Sequence, residues 1–295
     1  MNESLIKLCR VLGLAALACG AWALSGCAQQ GRAVPALSGQ ATRPALWLLG
    51  EVHDNPQGHE ARLALLTAWV TQGHRPVLVM EQFDRERATA LEQALDHCAD
   101  AACVVGEAGG PGWDWAHYEP VLALALKHGL KVVAGNLSRA DASRAMKEGV
   151  PAVVAPEVLQ GFGWPQSVQV GLKEAQSREI VEGHCGMLPD TLVPRFVQAQ
   201  VARDIWMAHT LLAQSGRDAV LLAGNGHIRP DWGVPYWLRQ RSVKPDRVVA
   251  YVEAGPVGTA TRTSPGGDEG EVQVVPAHAR PDPCEGFKAP VPASR

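Results

Sequence analysis

Two stretches of this sequence share one pattern: an apolar run, a glycine, two further residues and a histidine. One ends in Gly50-Glu51-Val52-His53, the other in Gly224-Asn225-Gly226-His227. Imidazoles and carboxylates are the groups that hold divalent metals and move protons near neutral pH. A chain bending beneath a crowded site also needs the backbone freedom of glycine. A single Gly-x-x-His arises easily by chance and then marks only a loop histidine; two copies carry more weight. Glu81 and Asn136 end two further apolar runs. Glu51, His53, Glu81, Asn136 and His227 are therefore expected at one rim.

Helical spacing adds members to this group. His59 shares a stripe with Leu63, Leu66 and Val70, while Gln200 and Asp204, bordered by Arg203, interrupt the stripe of Val193, Val197, Met207 and Leu211. Polar side chains on a buried stripe must find partners. They form either a structural network or, with Asn136, an outer layer that braces the histidines. Together His53, His59, His227, Glu51 and Glu81 have the chemistry of a divalent-metal site. Glu51, His53, Glu81 and His227 would then be the catalytic set of a metal-dependent hydrolase. No His-Glu-x-x-His signature supports this. A metal-free variant would use a histidine as base on water.

Trp113-Asp114-Trp115-Ala116-His117-Tyr118-Glu119-Pro120 is a second group, with flat aromatic surface and one phenol. Core packing is the plainer account of the tryptophans. Tyr118 stands out because only Tyr236 and Tyr251 accompany it, and Tyr236 lies near enough to the second motif to reach the same rim.

The elements that must position these residues alternate. Apolar runs at 46–49, 76–80, 131–134, 219–223 and 247–252 read as strands, with 271–275 as an edge strand. Their unbroken hydrophobicity suits a mostly parallel sheet covered by helices on both faces. Helices are expected from Asn55-Pro56 to Gly73, then over 85–97, 119–128, 138–147 and 190–214; residues 151–188 are the least legible. This is an α/β class, in which sites gather beyond the carboxyl ends of the strands.

The ends bound the setting. Residues 1–26 carry two basic residues, an apolar stretch too short for a comfortable span, and Leu24-Ser25-Gly26 before Cys27. That arrangement resembles a bacterial lipobox, which implies cleavage before Cys27 and acylation there, including palmitate. Ala28 rather than Asp after the cysteine resembles the outer-membrane sorting signal. Residues 27–43 read as a tether and the domain spans 44–275. The proline-rich tail, 276–295, is not expected to fold by itself. Export permits disulfides among Cys98, Cys103, Cys185 and Cys284; the first two are close in sequence, and the other two are simply the remaining pair. A formal net charge of -3 without a basic stripe sets nucleic acid aside.

In combination, Gly50-Glu51-Val52-His53-Asp54-Asn55-Pro56 with His59, Met80-Glu81-Gln82-Phe83, Ala134-Gly135-Asn136, Gln200-x-x-Arg203-Asp204-x-x-Met207-Ala208 and Gly224-Asn225-Gly226-His227 resemble the ChaN-like haem-binding lipoproteins. These belong to the Tiki/TraB superfamily, related in fold to erythromycin esterases. The resemblance implies an EreA/ChaN-like fold and a role in haem or iron uptake. It also implies a homodimer holding haem between subunits, with tyrosine on the iron. Tyr118 is the position that best carries over, with His117 and Trp115 completing a haem surface. The superfamily's hydrolytic branch implies the alternative, with a divalent metal at the paired motifs.

Overall fold

The computed structural model describes residues 43–255, 270–282, 284 and 285. The expected signal sequence, lipobox and most of the tether lie outside these residues. Among the described residues no helix is long and apolar enough to cross a membrane.

Six strands form one sheet: β1 (Leu46–Leu49), β2 (Val77–Asp84), β3 (Val132–Asn136), β4 (Ala219–Leu222), β5 (Arg247–Glu253) and β6 (Glu271–Val275). Their order is β3-β2-β4-β1-β5-β6 and each pairing is parallel. The apolar runs are unbroken because both faces are covered. Trp47, Leu49, Leu78, Met80, Val220 and Leu222 enter one core, whereas Leu48, Val79 and Leu221 enter the other.

The first core lies under α1 (Pro56–Thr71), α2 (Ala88–His97), α3 (Ala101–Ala108) and α4 (Glu119–His128). The second lies under α5 (Arg139–Glu148), α6 (Pro156–Gly161), α7 (Val170–Gly183), α8 (Val193–Leu212) and α9 (Val234–Gln240). Helix α1 starts as its sequence demands: the Asn55 side chain accepts from the Gly58 N–H at 2.7 Å, and Pro56 occupies the first turn. The illegible stretch 151–188 supplies α6 and α7, and α3 and α9 are also additions to the expected elements.

Connectivity explains where a site can form. From β1 the chain passes through α1, on one face, to β2. From β4 it passes through α9, on the other face, to β5 on the opposite side. β1 and β4 are neighbours at this reversal, so their carboxyl ends border a crevice.

The first residues of the proline-rich tail are bonded to the domain. Asn55 donates to the Pro276 carbonyl at 2.9 Å, His278 N–H donates to Glu253, and Arg280 donates to both Asp54 and Glu253. A proline-rich segment makes few hydrogen bonds with itself, but here the domain supplies the partners. Disulfides join Cys98 to Cys103 and Cys185 to Cys284.

Candidate functional site

The two Gly-x-x-His bends lie side by side at the ends of β1 and β4, and each glycine makes room for the other bend. A β-carbon on Gly50 would collide with the side chains of Asn225 and Ile228. One on Gly224 would stand 2.9 Å from Cε1 and 3.0 Å from Nε2 of His53. The Asn225 N–H donates to the Glu51 carbonyl at 2.9 Å, and its side chain donates to the Tyr251 carbonyl at 2.7 Å. Close approach, rather than turn conformation, is what both positions require.

Two polar networks meet there, one on each face of the sheet. On the α1 side Glu51 is buried and accepts from Arg62, from Tyr118 Oη at 2.6 Å and from Gln82 at 3.2 Å, and it is bonded to His53 Nδ1 at 2.7 Å. Burial would raise this carboxyl, but the Arg62 guanidinium and then the His53 hydrogen bond outweigh it and hold the pKa at about 2. Glu51 is therefore an anion at any physiological pH.

On the α8 side the His227 ring lies between Asp204 Oδ1, 2.6 Å from Nδ1, and Glu81 Oε1, 3.3 Å from Nε2. Burial opposes charge on this ring, yet Glu81 and Asp204 together raise its pKa to about 10. The Glu81 carboxyl is held well below the usual range, since its burial is outweighed by His227 and His53 and by the Gly224 N–H at 2.7 Å. Gln176 on α7 donates to the second Asp204 oxygen at 3.2 Å. The result is an imidazolium between two carboxyl groups, of which Asp204 is raised by its burial to about 6.

His53 joins the two. Its Nδ1 faces Glu51, its Nε2 faces Gly224, and its side chain remains 48% exposed. Burial lowers the tendency of this ring to charge, but the Glu51 bond and the Glu81 and Glu51 charges raise its pKa above the ordinary value. It opens onto a cavity of about 460 Å³ lined by Glu51, His227, Asp204 and Gln200, with Ile180, Phe196 and Trp232 as apolar wall. The ring edge of Trp113 lies against His53, centroids 5.0 Å apart.

Not every expected residue joins. Asn136 reaches the rim, but its side chain accepts from the adjacent Leu137 N–H. His59 is buried behind the loop, with Nε2 on the His53 carbonyl at 2.9 Å. Burial and Arg62 lower its pKa to about 4, so it is a neutral structural group rather than a cavity ligand. Arg203 acts on the charges of Asp204 and Asp84 without entering the cavity. Tyr236 turns away, donating to the Ser167 carbonyl. His117 stacks on His59 at 4.7 Å, and Trp115 donates to the Gly110 carbonyl. Arg62 and Gln82 were missed. Arg62 lies one turn beyond His59 on the same face of α1, which was the available signal.

Of the five expected metal ligands, His59 lies behind Glu51, Glu51 is bonded to four neighbours, and both His227 nitrogens face carboxyl groups. Tyr118 is fully buried, and burial, the Glu51 charge and the bond to Glu51 hold its phenol protonated far above its usual range.

No curated protein matches the chain in sequence. Among solved structures it is similar to ChaN of Campylobacter jejuni, a structure titled for cofacial haem binding. The two are 19% identical with a TM-score of 0.58, over 76% of this chain and 86% of that one. More distant similarity extends to an erythromycin esterase in its open conformation, 14% identical with a TM-score of 0.42 over 83% and 79% of the two chains. The model of the family described as haem-binding uptake, Tiki superfamily, ChaN, matches residues 38–238, and the chain belongs to that family.

Proposed function

We propose that the protein binds haem for uptake at the rim around His53, and that a lipidated Cys27 holds it to the outer membrane facing the periplasm or the surface. Family membership supports the haem. The single observation that supports the place is the His53 imidazole: oriented through Nδ1 by a permanently ionised Glu51, half exposed, with Nε2 away from that bond. A histidine whose second nitrogen is fixed by a carboxylate is the usual form of an axial or metal ligand. Haem supplies an iron that accepts such a nitrogen. Trp113, at the edge of His53, gives apolar surface beside it, and His117 lies further along the same aromatic group. Titration of the protein with haem tests this: a Soret band should develop, persist in Tyr118→Phe and disappear in His53→Ala. The anchor reading rests on the sequence before and around Cys27, and incorporation of labelled fatty acid that is lost in Cys27→Ala is its test.

A second reading is supported by the cavity itself. His53 and Glu51 form an oriented pair, and above the pKa of His53 its Nε2 is able to take a proton from a water beside an apolar wall. His227, engaged through both nitrogens by Asp204 and Glu81, would hold these carboxyl groups in place on the same cavity. This describes an ester or amide hydrolase needing no metal. Turnover of a chromogenic ester that is lost in both His53→Ala and His227→Gln would support it; its absence would leave haem binding alone.

A further inference from the structure

A separate group of donors lies at the corner between α2 and α3. His97 Nε2, the sulfurs of Cys98 and Cys103 and a Glu107 oxygen all lie within 4.8 Å of one another. Glu107 Oε1 stands 2.8 Å from His97 Nε2 and 3.9 and 3.8 Å from the two sulfurs. The His97 Nδ1 is bonded to the Gln93 carbonyl at 2.7 Å, which fixes the ring with Nε2 turned toward Glu107. Cys103 and Glu107 are one turn apart on α3, whose start is capped by Asp100 through the Cys103 N–H at 2.9 Å. The buried Leu91, Ala94 and Val104 hold the two helices beneath the group.

We propose that the Cys98–Cys103 disulfide masks a divalent metal site made by Cys98, Cys103, His97 and Glu107, and that reduction opens it. Two thiolates, an imidazole and a carboxylate suit a tetrahedral, zinc-like ion and are a poor match for magnesium or calcium. A dithiol donor gives two electrons and two protons and becomes a disulfide. The S–S bond of Cys98–Cys103 breaks to two thiols, and each thiol releases its proton as its sulfur bonds the metal. The exposure of His97 and Glu107, 58% and 45% of their side chains, leaves an open path for the ion.

Cobalt(II) titration of the full-length chain, before and after reduction by a phosphine, tests the proposal. The reduced chain should take up one equivalent, with a thiolate-to-cobalt charge-transfer band and the intense visible bands of tetrahedral cobalt, displaced by zinc; the oxidised chain should show neither. His97→Gln and Glu107→Gln, both at exposed positions, should each weaken binding at least about tenfold, whereas Cys185→Ser/Cys284→Ser should keep the bands. The proposal is overturned if the reduced chain gives no bands or loses its helical circular dichroism. It is equally overturned if the bands survive both surface substitutions, or depend on Cys185 and Cys284.

Discussion

The imidazole of His53 lies against Gly224, with Nε2 only 3.0 Å from where a β-carbon on that glycine would stand. One motif's glycine is thus the seat of the other motif's histidine. Alanine at 224 should displace a half-exposed ring end that has room to move, so stability should fall by less than about 1 kcal/mol while haem affinity falls clearly. Alanine at 50 meets buried Asn225 and Ile228 instead and should cost about 1–3 kcal/mol. Urea unfolding of the two variants, beside haem titration, separates the effects.

The His227 ion pair predicts a large stability response. Removing the ring leaves Glu81 and Asp204 buried with no cation between them. His227→Gln should therefore destabilise the fold by about 3–5 kcal/mol. A double-mutant cycle with Glu81→Gln should show strong coupling; additive losses would mean that the pair is not charged as described.

Acid should weaken the fold in two stages. The neutral His59 has a folded pKa near 4, below its ordinary 6.5, so the stability it confers is lost as pH falls from about 6.5 toward 4. Glu51, held near 2, adds a loss as pH falls through 4.5 toward 2. His227 works in the opposite sense: its contribution is complete below about 6.5 and is lost as pH rises through 10. Thermal midpoints across this range should fall at both ends, and His59→Gln should flatten the slope between pH 6.5 and 4.

Tyr118→Phe removes a phenol that donates to a buried carboxylate. It should cost about 1.5–3 kcal/mol of stability, the range of hydrogen bonds to charged groups, while leaving the haem spectrum in place. A lost or shifted Soret band in a folded variant would instead assign Tyr118 as the ligand.

Much of this architecture was legible in the sequence. The strands could be read because burial on both faces keeps Leu46–Leu49 and Ala219–Leu222 continuously apolar. The paired motifs, with the apolar run that ends at Glu81, put His53, His227 and Glu81 at one rim because parallel strands deliver their carboxyl ends to one side. Two properties were not legible. Whether a polar side chain at the rim faces the cavity or its own backbone depends on a single bend, as Asn136, which accepts from the adjacent Leu137 N–H, illustrates. A buried cation such as Arg62 is recognisable only through its partner: on sequence alone it is one more charged helical residue, but Glu51 makes it the anchor of the site.

The central claim is that His53, held by Glu51, is where the chain meets haem. Absorption titration of the wild type and His53→Ala with ferric haem, each checked for native circular dichroism, tests it most directly. A saturable Soret band in the wild type that is absent from the variant is the predicted result. The same band, with the same affinity, in a folded His53→Ala protein would contradict it.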